Sequence, residues 1–427
     1  MSTTEPVPVR TRRGRLVTFA TVVVILLALL AIAASFMLQP QRASAQLLDR
    51  VGTALGLRIT ASGQASYRLR GTPQLVLRNV IAQRPGDARA VLRAERVFIS
   101  LPWSTIRARG ADLTVQRLEL DAPILDLPAL QRWQATRLPG ESRIPTLTDG
   151  LRIVRGRFDN NGWRIQDLVV DLPALAPGKP LDAHVQGRFV DPPTSVPFDL
   201  DVDLTKPANN AGLAVSGTLT LEANGWKLPT RIKLSGPLRV GDAGVTISPV
   251  SVGLSARYIS AKSDLPFVLG AAGRLRLHDG VWALDPASLD LRGQRVIPDA
   301  IAEGALALGG RLVLRLRGDI AAWPDAWPVL PPPLQASKSP MRFALDYVGR
   351  LDFSEVTSLV LRRDDTTFDA RFKLPMVLEW IDLEPSSSPL PPLRGRLQTP
   401  RLEIAGATLE GVEVEFSDDA VPAPDAP

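Results

Sequence analysis

Val196-Pro-Phe198-Asp-Leu200-Asp-Val202-Asp-Leu204 alternates without a slip. In an extended chain successive side chains point to opposite faces. Val196, Phe198, Leu200, Val202 and Leu204 therefore share one face, and Asp199, Asp201 and Asp203 share the other. A strand of this kind has one dry face and one wet face. Pro197 has no N–H to give to a ladder, which predicts an edge strand or the start of a strand. The same alternation returns in Leu312-Val-Leu314-Arg-Leu316 and in Val412-Glu-Val414-Glu-Phe416. Between Leu113-Thr-Val115 and Leu118-Glu-Leu120 it changes phase, which predicts a bulge at Gln116-Arg117.

Around these strands runs a loose repeat, a glycine followed by alternating leucines. It occurs at Gly217-Thr-Leu-Thr-Leu221, Gly273-Arg-Leu-Arg-Leu277, Gly304-Ala-Leu-Ala-Leu308 and Gly395-Arg-Leu397. Its spacing is too irregular for a solenoid code. Hairpin after hairpin is the better reading, with Asn161-Gly162 and Asn224-Gly225 as turns. Met376–Leu383 fits either a short helix or a strand with Trp380 inward.

The N-terminal stretch differs. Leu16–Leu38 is 23 residues without charge, proline or glycine. As a helix it is long enough for a bilayer core of roughly 30 Å. Arg10, Arg12, Arg13 and Arg15 precede it and set the membrane orientation, with the N-terminus cytoplasmic and the bulk of the chain outside. A cleaved signal peptide is the rival reading, with Ala43-Ser44-Ala45 as its cleavage site. The apolar run exceeds the usual ~7–15 residues of such a region, which favours an uncleaved single-pass anchor. In 43–56, Leu47, Leu48, Val51 and Leu55 stand at helical spacing and predict a short amphipathic helix. It would pack on the next sheet or lie on the membrane.

Composition narrows the function. The chain has 427 residues and no cysteine, which removes disulfides, thiolate metal sites and thiol catalysis. His184 and His278 are the two histidines, and each reads as structural. The net charge of +6 does not point to nucleic acid, because residues 1–15 carry half of it. No dense basic face interleaved with aromatics follows. There is no phosphate loop, nucleophile elbow or zinc-protease helix. The pairs Asp364-Asp365 and Asp418-Asp419 would be the material for acid–base hydrolysis. One reads as a hairpin turn and the other as tail. Trp323 and Trp327 read as core or rim rather than as a stacking platform. The expectation is a non-enzyme with no cofactor, no metal and no catalytic residue. A long sheet with one apolar face must bury it, in a closed core or around something apolar. Both alternate identically, and the pattern alone puts a plain core first.

The segment after the anchor resembles the AsmA family of bacterial envelope proteins, which is related to bridge-like lipid-transfer proteins. The resemblance lies in Leu55-Gly56-Leu57-Arg58-Ile59 with Gly63, then Pro73-Gln-Leu75-Val-Leu77-Arg-Asn79-Val80 and Leu92-Arg-Ala94-Glu-Arg-Val97. It continues through Val115-Gln-Arg-Leu118-Glu-Leu120-Asp-Ala-Pro123-Ile-Leu125-Asp-Leu127 with Trp133. It covers about residues 16–135, and Gly395–Phe416 is similar to the family's closing strands. The resemblance implies an elongated sheet curled into an apolar groove, phospholipid transport or outer-membrane homeostasis, and membrane phospholipids as partners. It carries no catalytic residues over and names no groove residues.

Together these give a mainly β chain: an N-terminal transmembrane helix, then an elongated, curled antiparallel sheet with a few short helices. Its segments are a basic tail (1–15), a transmembrane helix (16–38), a short helix or linker (39–56) and an AsmA-like β region (57–145). A middle sheet (146–320), a Pro-rich linker (321–340), a C-terminal β region (341–418) and a tail (419–427) follow. The expected setting is the inner membrane of a Gram-negative cell, with the bulk periplasmic. About 20–25 strands at ~4.8 Å would stack to roughly 100–120 Å. That is short for a bridge between two membranes, and leaves room for an envelope protein partner. The alternative function is a scaffold for assembling outer-membrane or secretion-machinery proteins.

Overall fold

The period-two pattern folds as hairpin after hairpin in the computed structural model, which describes residues 56–62, 66–68, 70–107, 114–136, 145–223, 225–241, 244–327, 337–382, 392–404, 407–418 and 421. The span expected at Leu16–Leu38 and the arginines Arg10, Arg12, Arg13 and Arg15 lie outside these residues. So does the helix expected over 43–56, apart from Gly56, which is a turn. Among the described residues no helix is long and apolar enough to cross a membrane.

The first part is β1 (Arg58–Ala61), β2 (Ser66–Arg68), β3 (Gln74–Gln83), β4 (Ala90–Ser100), α1 (Trp103–Arg107), β5 (Thr114–Val115), β6 (Arg117–Asp121), β7 (Ile124–Asp126), α2 (Leu127–Gln134), β8 (Thr146–Leu147) and β9 (Leu151–Asp159). The second part is a meander in which each strand pairs antiparallel with the next. It comprises β10 (Arg164–Leu172), β11 (Leu181–Asp191), β12 (Thr194–Leu204), β13 (Asn210–Ala223), β14 (Trp226–Gly241), β15 (Gly244–Ile259), β16 (Asp264–His278) and β17 (Val281–Arg292). It continues through β18 (Ala300–Leu308), β19 (Leu312–Ile320), β20 (Met341–Gly349), β21 (Thr357–Arg363), β22 (Thr366–Phe372), α3 (Leu374–Asp382), β23 (Leu393–Ile404) and β24 (Ala407–Phe416). Met376 and Trp380 thus fall in a helix, α3.

Twenty-two strands share one long, curled sheet. β1 and β2 both pair along β3, and β6 and β7 lie end to end between β4 and β9. The ribbon is therefore about twenty strands across, or about 90 Å at ~4.8 Å per strand. It continues unbroken past the Pro-rich connection, since β19 pairs with β20. The sheet is not wholly antiparallel: β9 runs parallel to β6 and β7, after a crossover that contains α2. The expected bulge at Gln116-Arg117 is instead a change of sheet. β5 leaves the ribbon to pair with β8, and β6 re-enters it beside β4.

Pro197 corrects another expectation. It lies inside β12, with β11 on one flank and β13 on the other. Pairing with β11 is continuous, but on the β13 side it lapses between Ser195 and Phe198. The missing N–H thus costs a gap in one ladder and not the strand.

The well-packed core sits at the N-terminal end. One cluster there holds 25 buried apolar residues, including Leu75, Leu77, Val80, Ile99, Leu130 and Trp133. In β3, Leu75 and Leu77 point inward, then Asn79 takes φ 48° and Val80 and Ala82 point inward too. A short amide side chain tolerates this left-handed conformation best among non-glycine residues. The Leu-x-Leu-x-Asn-Val stretch is therefore a strand with its phase reset at the asparagine. Ala122, Arg155 and Asp167 also have positive φ, at 46°, 56° and 55°. Arg155 reaches across this line of irregularities to pair with Glu95 at 2.7 Å.

Candidate functional site

Beyond β10 the ribbon has two faces of opposite character, fixed by the register. Starting at Ala183 and reading straight across successive pairs gives Val202, Val215, Leu234, Val252, Ala271, Leu289, Ala302, Gly318, Phe343, Leu361, Phe368, Leu397 and Val414. No polar side chain interrupts this row from β11 to β24. The next row, Val185-Leu200-Gly217-Ile232-Leu254-Leu269-Leu291-Ala300-Ile320-Met341, is equally apolar. Cross-strand neighbours on one face touch, so the two rows form a continuous band.

The band is only partly covered. Val202, Val215, Leu234, Val252 and Leu254 are half-buried. Beyond the N-terminal core two small clusters form, each with four buried members. One centres on Ile247, Val250, Leu284 and Ala287, the other on Ala300, Ile320, Met341 and Leu361. Trp323 and Trp327 pack against the second cluster and against each other, edge to face at 4.7 Å. The Trp327 indole N–H donates to the Val296 carbonyl at 2.9 Å, so both tryptophans are packing residues.

The glycines of the leucine repeat serve close approach between strands. A Cβ on Gly304 would lie 1.9 Å from the Arg315 carbonyl oxygen, and one on Gly318, which is outside the repeat, would lie 1.9 Å from that of Ile301. Both positions are on the apolar face, where β18 and β19 lie against each other.

The opposite face is polar and contains open concavities. The largest described has a volume of about 1460 Å³ and runs from β16 to β21, lined by Asp290, Glu303, Arg317, Asp319, Arg342 and Arg362 among others. Two smaller ones follow the same face from β10 to β17. Concavity on the wet face had no counterpart in the sequence reading. The strand pattern marks which side chains are wet, not which way the ribbon bends.

His184 belongs to the polar face. Its Nδ1 lies 2.9 Å from Asp201 Oδ1 and its Nε2 3.4 Å from Asp199 Oδ1. The hydrogen bond to Asp201, helped by the negative charges of Asp199, Asp201 and Asp171, raises the imidazole pKa. One pair along, Asp182 stands directly opposite Asp203. Desolvation and the charge of Asp182 push the Asp203 carboxyl up. His278 ends β16, 3.5 Å from Asp279. The two histidines do not converge, and no group of three metal-ligating side chains forms among the described residues.

Asp364 and Asp365 occupy the hairpin turn between β21 and β22, and Asp364 takes φ 51°. Hydrogen bonding to Ser337 and Ser339 holds the Asp364 carboxyl below its usual range. Asp418 follows β24, and Asp419 lies outside the described residues. The two carboxylate pairs are not brought together. No family model, curated protein or solved structure matches this chain.

Proposed function

We propose that the apolar band of the ribbon binds acyl chains, and that the protein supports phospholipid transport or outer-membrane homeostasis as a membrane-anchored, AsmA-like envelope protein. The uninterrupted row from Ala183 to Val414, half-buried along most of its length, carries this reading. Burying a methylene is worth about 0.8 kcal/mol, so one acyl chain supplies ample affinity without any specific polar contact. A band without polar interruptions offers equivalent positions along its length, which lets a chain slide. The anchor at Leu16–Leu38 and the resemblance of the segment after it to the AsmA family add the envelope setting.

The test is lipid co-purification. The full chain, extracted in a mild detergent and exchanged into a lipid-free one, should carry phospholipid detectable by native mass spectrometry. Leu234→Glu and Val252→Glu should abolish the bound lipid while the far-ultraviolet spectrum keeps its β character. Lipid-free wild-type protein would sink the reading. The open flank of β24, which pairs only with β23 among the described residues, favours the alternative of a scaffold that recruits another strand. Crosslinks from β24 to an envelope protein, with no lipid bound, would establish it.

A further inference from the structure

The concavity on the polar face between β16 and β21 contains an arrangement that sheet stability alone does not explain. Arg342 on β20 stands directly opposite Arg362 on β21. Like charges in that position destabilise a sheet. Arg317, two residues from Asp319 on β19, lines the same hollow. All three arginines are exposed. Some other arginines of this face are tied down: Arg257 pairs with Asp264 at 2.9 Å and Arg292 with Asp290 at 2.8 Å. Arg317, Arg342 and Arg362 form no ion pair or hydrogen bond among the described residues, although Asp319 faces Arg342 across the strands and Glu303 faces Arg317.

Asp319 supplies the second observation. Its Oδ1 is shut off from solvent and has no hydrogen-bond partner. An acceptor left in that state is costly unless something donates to it. The hollow therefore offers unpaired guanidinium forks, which match the oxygens of a tetrahedral anion, beside one acceptor that needs a proton donor.

We propose that Arg317, Arg342, Arg362 and Asp319 form a binding site for a phosphate-type anion that also carries a hydrogen-bond donor. The arginines take the anionic oxygens, and the Asp319 carboxylate, which lines the hollow, turns an oxygen towards the ligand and accepts from its O–H. The site lies on the face opposite the apolar band, so it does not depend on acyl binding. Inorganic phosphate meets the requirement, because at neutral pH it retains a P–OH. A phosphodiester lipid headgroup with a free hydroxyl also meets it. Sulfate has the same shape and no proton to give.

The full chain in a neutral detergent is titrated by calorimetry with inorganic phosphate, with sulfate, and with dihexanoyl phosphatidylglycerol below its micellar concentration. The expected result is phosphate binding that exceeds sulfate binding about tenfold, the value of one charge-assisted hydrogen bond. Arg342→Gln and Arg362→Gln should each weaken phosphate about tenfold. Asp319→Asn should erase the preference over sulfate, whereas Asp199→Asn, which makes the same change in net charge elsewhere on the face, should preserve it. The phosphate-to-sulfate ratio is read within one folded protein, so it remains decisive even if an arginine variant folds poorly. Tighter binding of the phosphatidylglycerol than of phosphate marks a headgroup site, and the reverse marks a site for the free anion. Absence of phosphate binding, equal binding of sulfate, or indifference to Asp319→Asn overturns the proposal.

Discussion

The Arg350 guanidinium donates to the carbonyl oxygen of Pro192, 158 residues away. Pro192 lies in the turn from β11 to β12, on one edge of the ribbon. Arg350 follows β20, on the other edge. The ribbon therefore curls so far that one edge returns to meet the opposite edge eight strands later. The Arg350 turn is itself held: the Tyr347 hydroxyl, on a fully buried ring, donates to the Arg350 carbonyl at 2.6 Å. Burial raises the Tyr347 pKa, so the hydroxyl remains a donor.

Arg350→Ala removes one exposed tie and should cost no more than about 1 kcal/mol in stability. Its visible effect should be on shape. The chain has no cysteine, so Asp191→Cys with Leu351→Cys gives a clean crosslinking pair. A short bismaleimide should join the two in the parent chain and join them markedly less when Arg350→Ala is added. Equal yields would mean that the edges meet without this contact.

Gly304→Ala should destabilise by more than about 2 kcal/mol, because the new methyl meets a backbone oxygen that no side-chain rotation can move. Gly253→Ala, with nothing within 4 Å of the added carbon, should change the denaturant midpoint little. Equal midpoints for the two would refute the close-approach account of the leucine repeat.

Acid should favour the acidic patch of β11 and β12. The folded pKa of His184 lies above its unfolded value. Its contribution is thus fully present below pH ~6.5 and lost as pH rises through the folded pKa. Asp203 is also raised, so its protonation likewise stabilises the fold on acidification. His184→Gln should therefore lower the melting temperature at pH 5.5 and matter less at pH 8. Asp203→Asn should raise it at pH 7 by relieving the facing carboxylates. Melting curves across that range, with either sign reversed, would contradict the assignment.

The two ends of the sheet should tolerate truncation differently. Leu77→Ala, in the packed N-terminal core, should cost about 2–5 kcal/mol. Leu234→Ala, half-buried on the band, has fewer neighbours to abandon and should cost well under half as much. Chemical denaturation of both variants distinguishes a closed core from an open band.

Much of this was legible in the sequence, because a period of two is local. The strand Val196–Leu204 has its dry and wet faces as the residues dictate, and Asn161-Gly162 turns with Gly162 at φ 98°. What pairing decides was not legible. The parallel placement of β9 beside β6 and β7 joins segments separated by a helix, and nothing in either segment encodes it. Pro197 looked like an edge because a lapse in one ladder cannot be read from a single strand. Arg342 and Arg362 are twenty residues apart and face each other only through the register of their hairpin. The resetting of strand phase at Asn79 was written in Leu77-Arg-Asn79-Val80, but it needed the positive φ to be understood.

From β10 to β24 every strand pairs only with its neighbours in the chain. Such a ribbon is a ruler as much as a fold. Removing or duplicating one hairpin would shorten or lengthen it by about 10 Å and leave every other pairing intact. Its reach is thus an additive property of the gene, open to adjustment two strands at a time without redesigning a core.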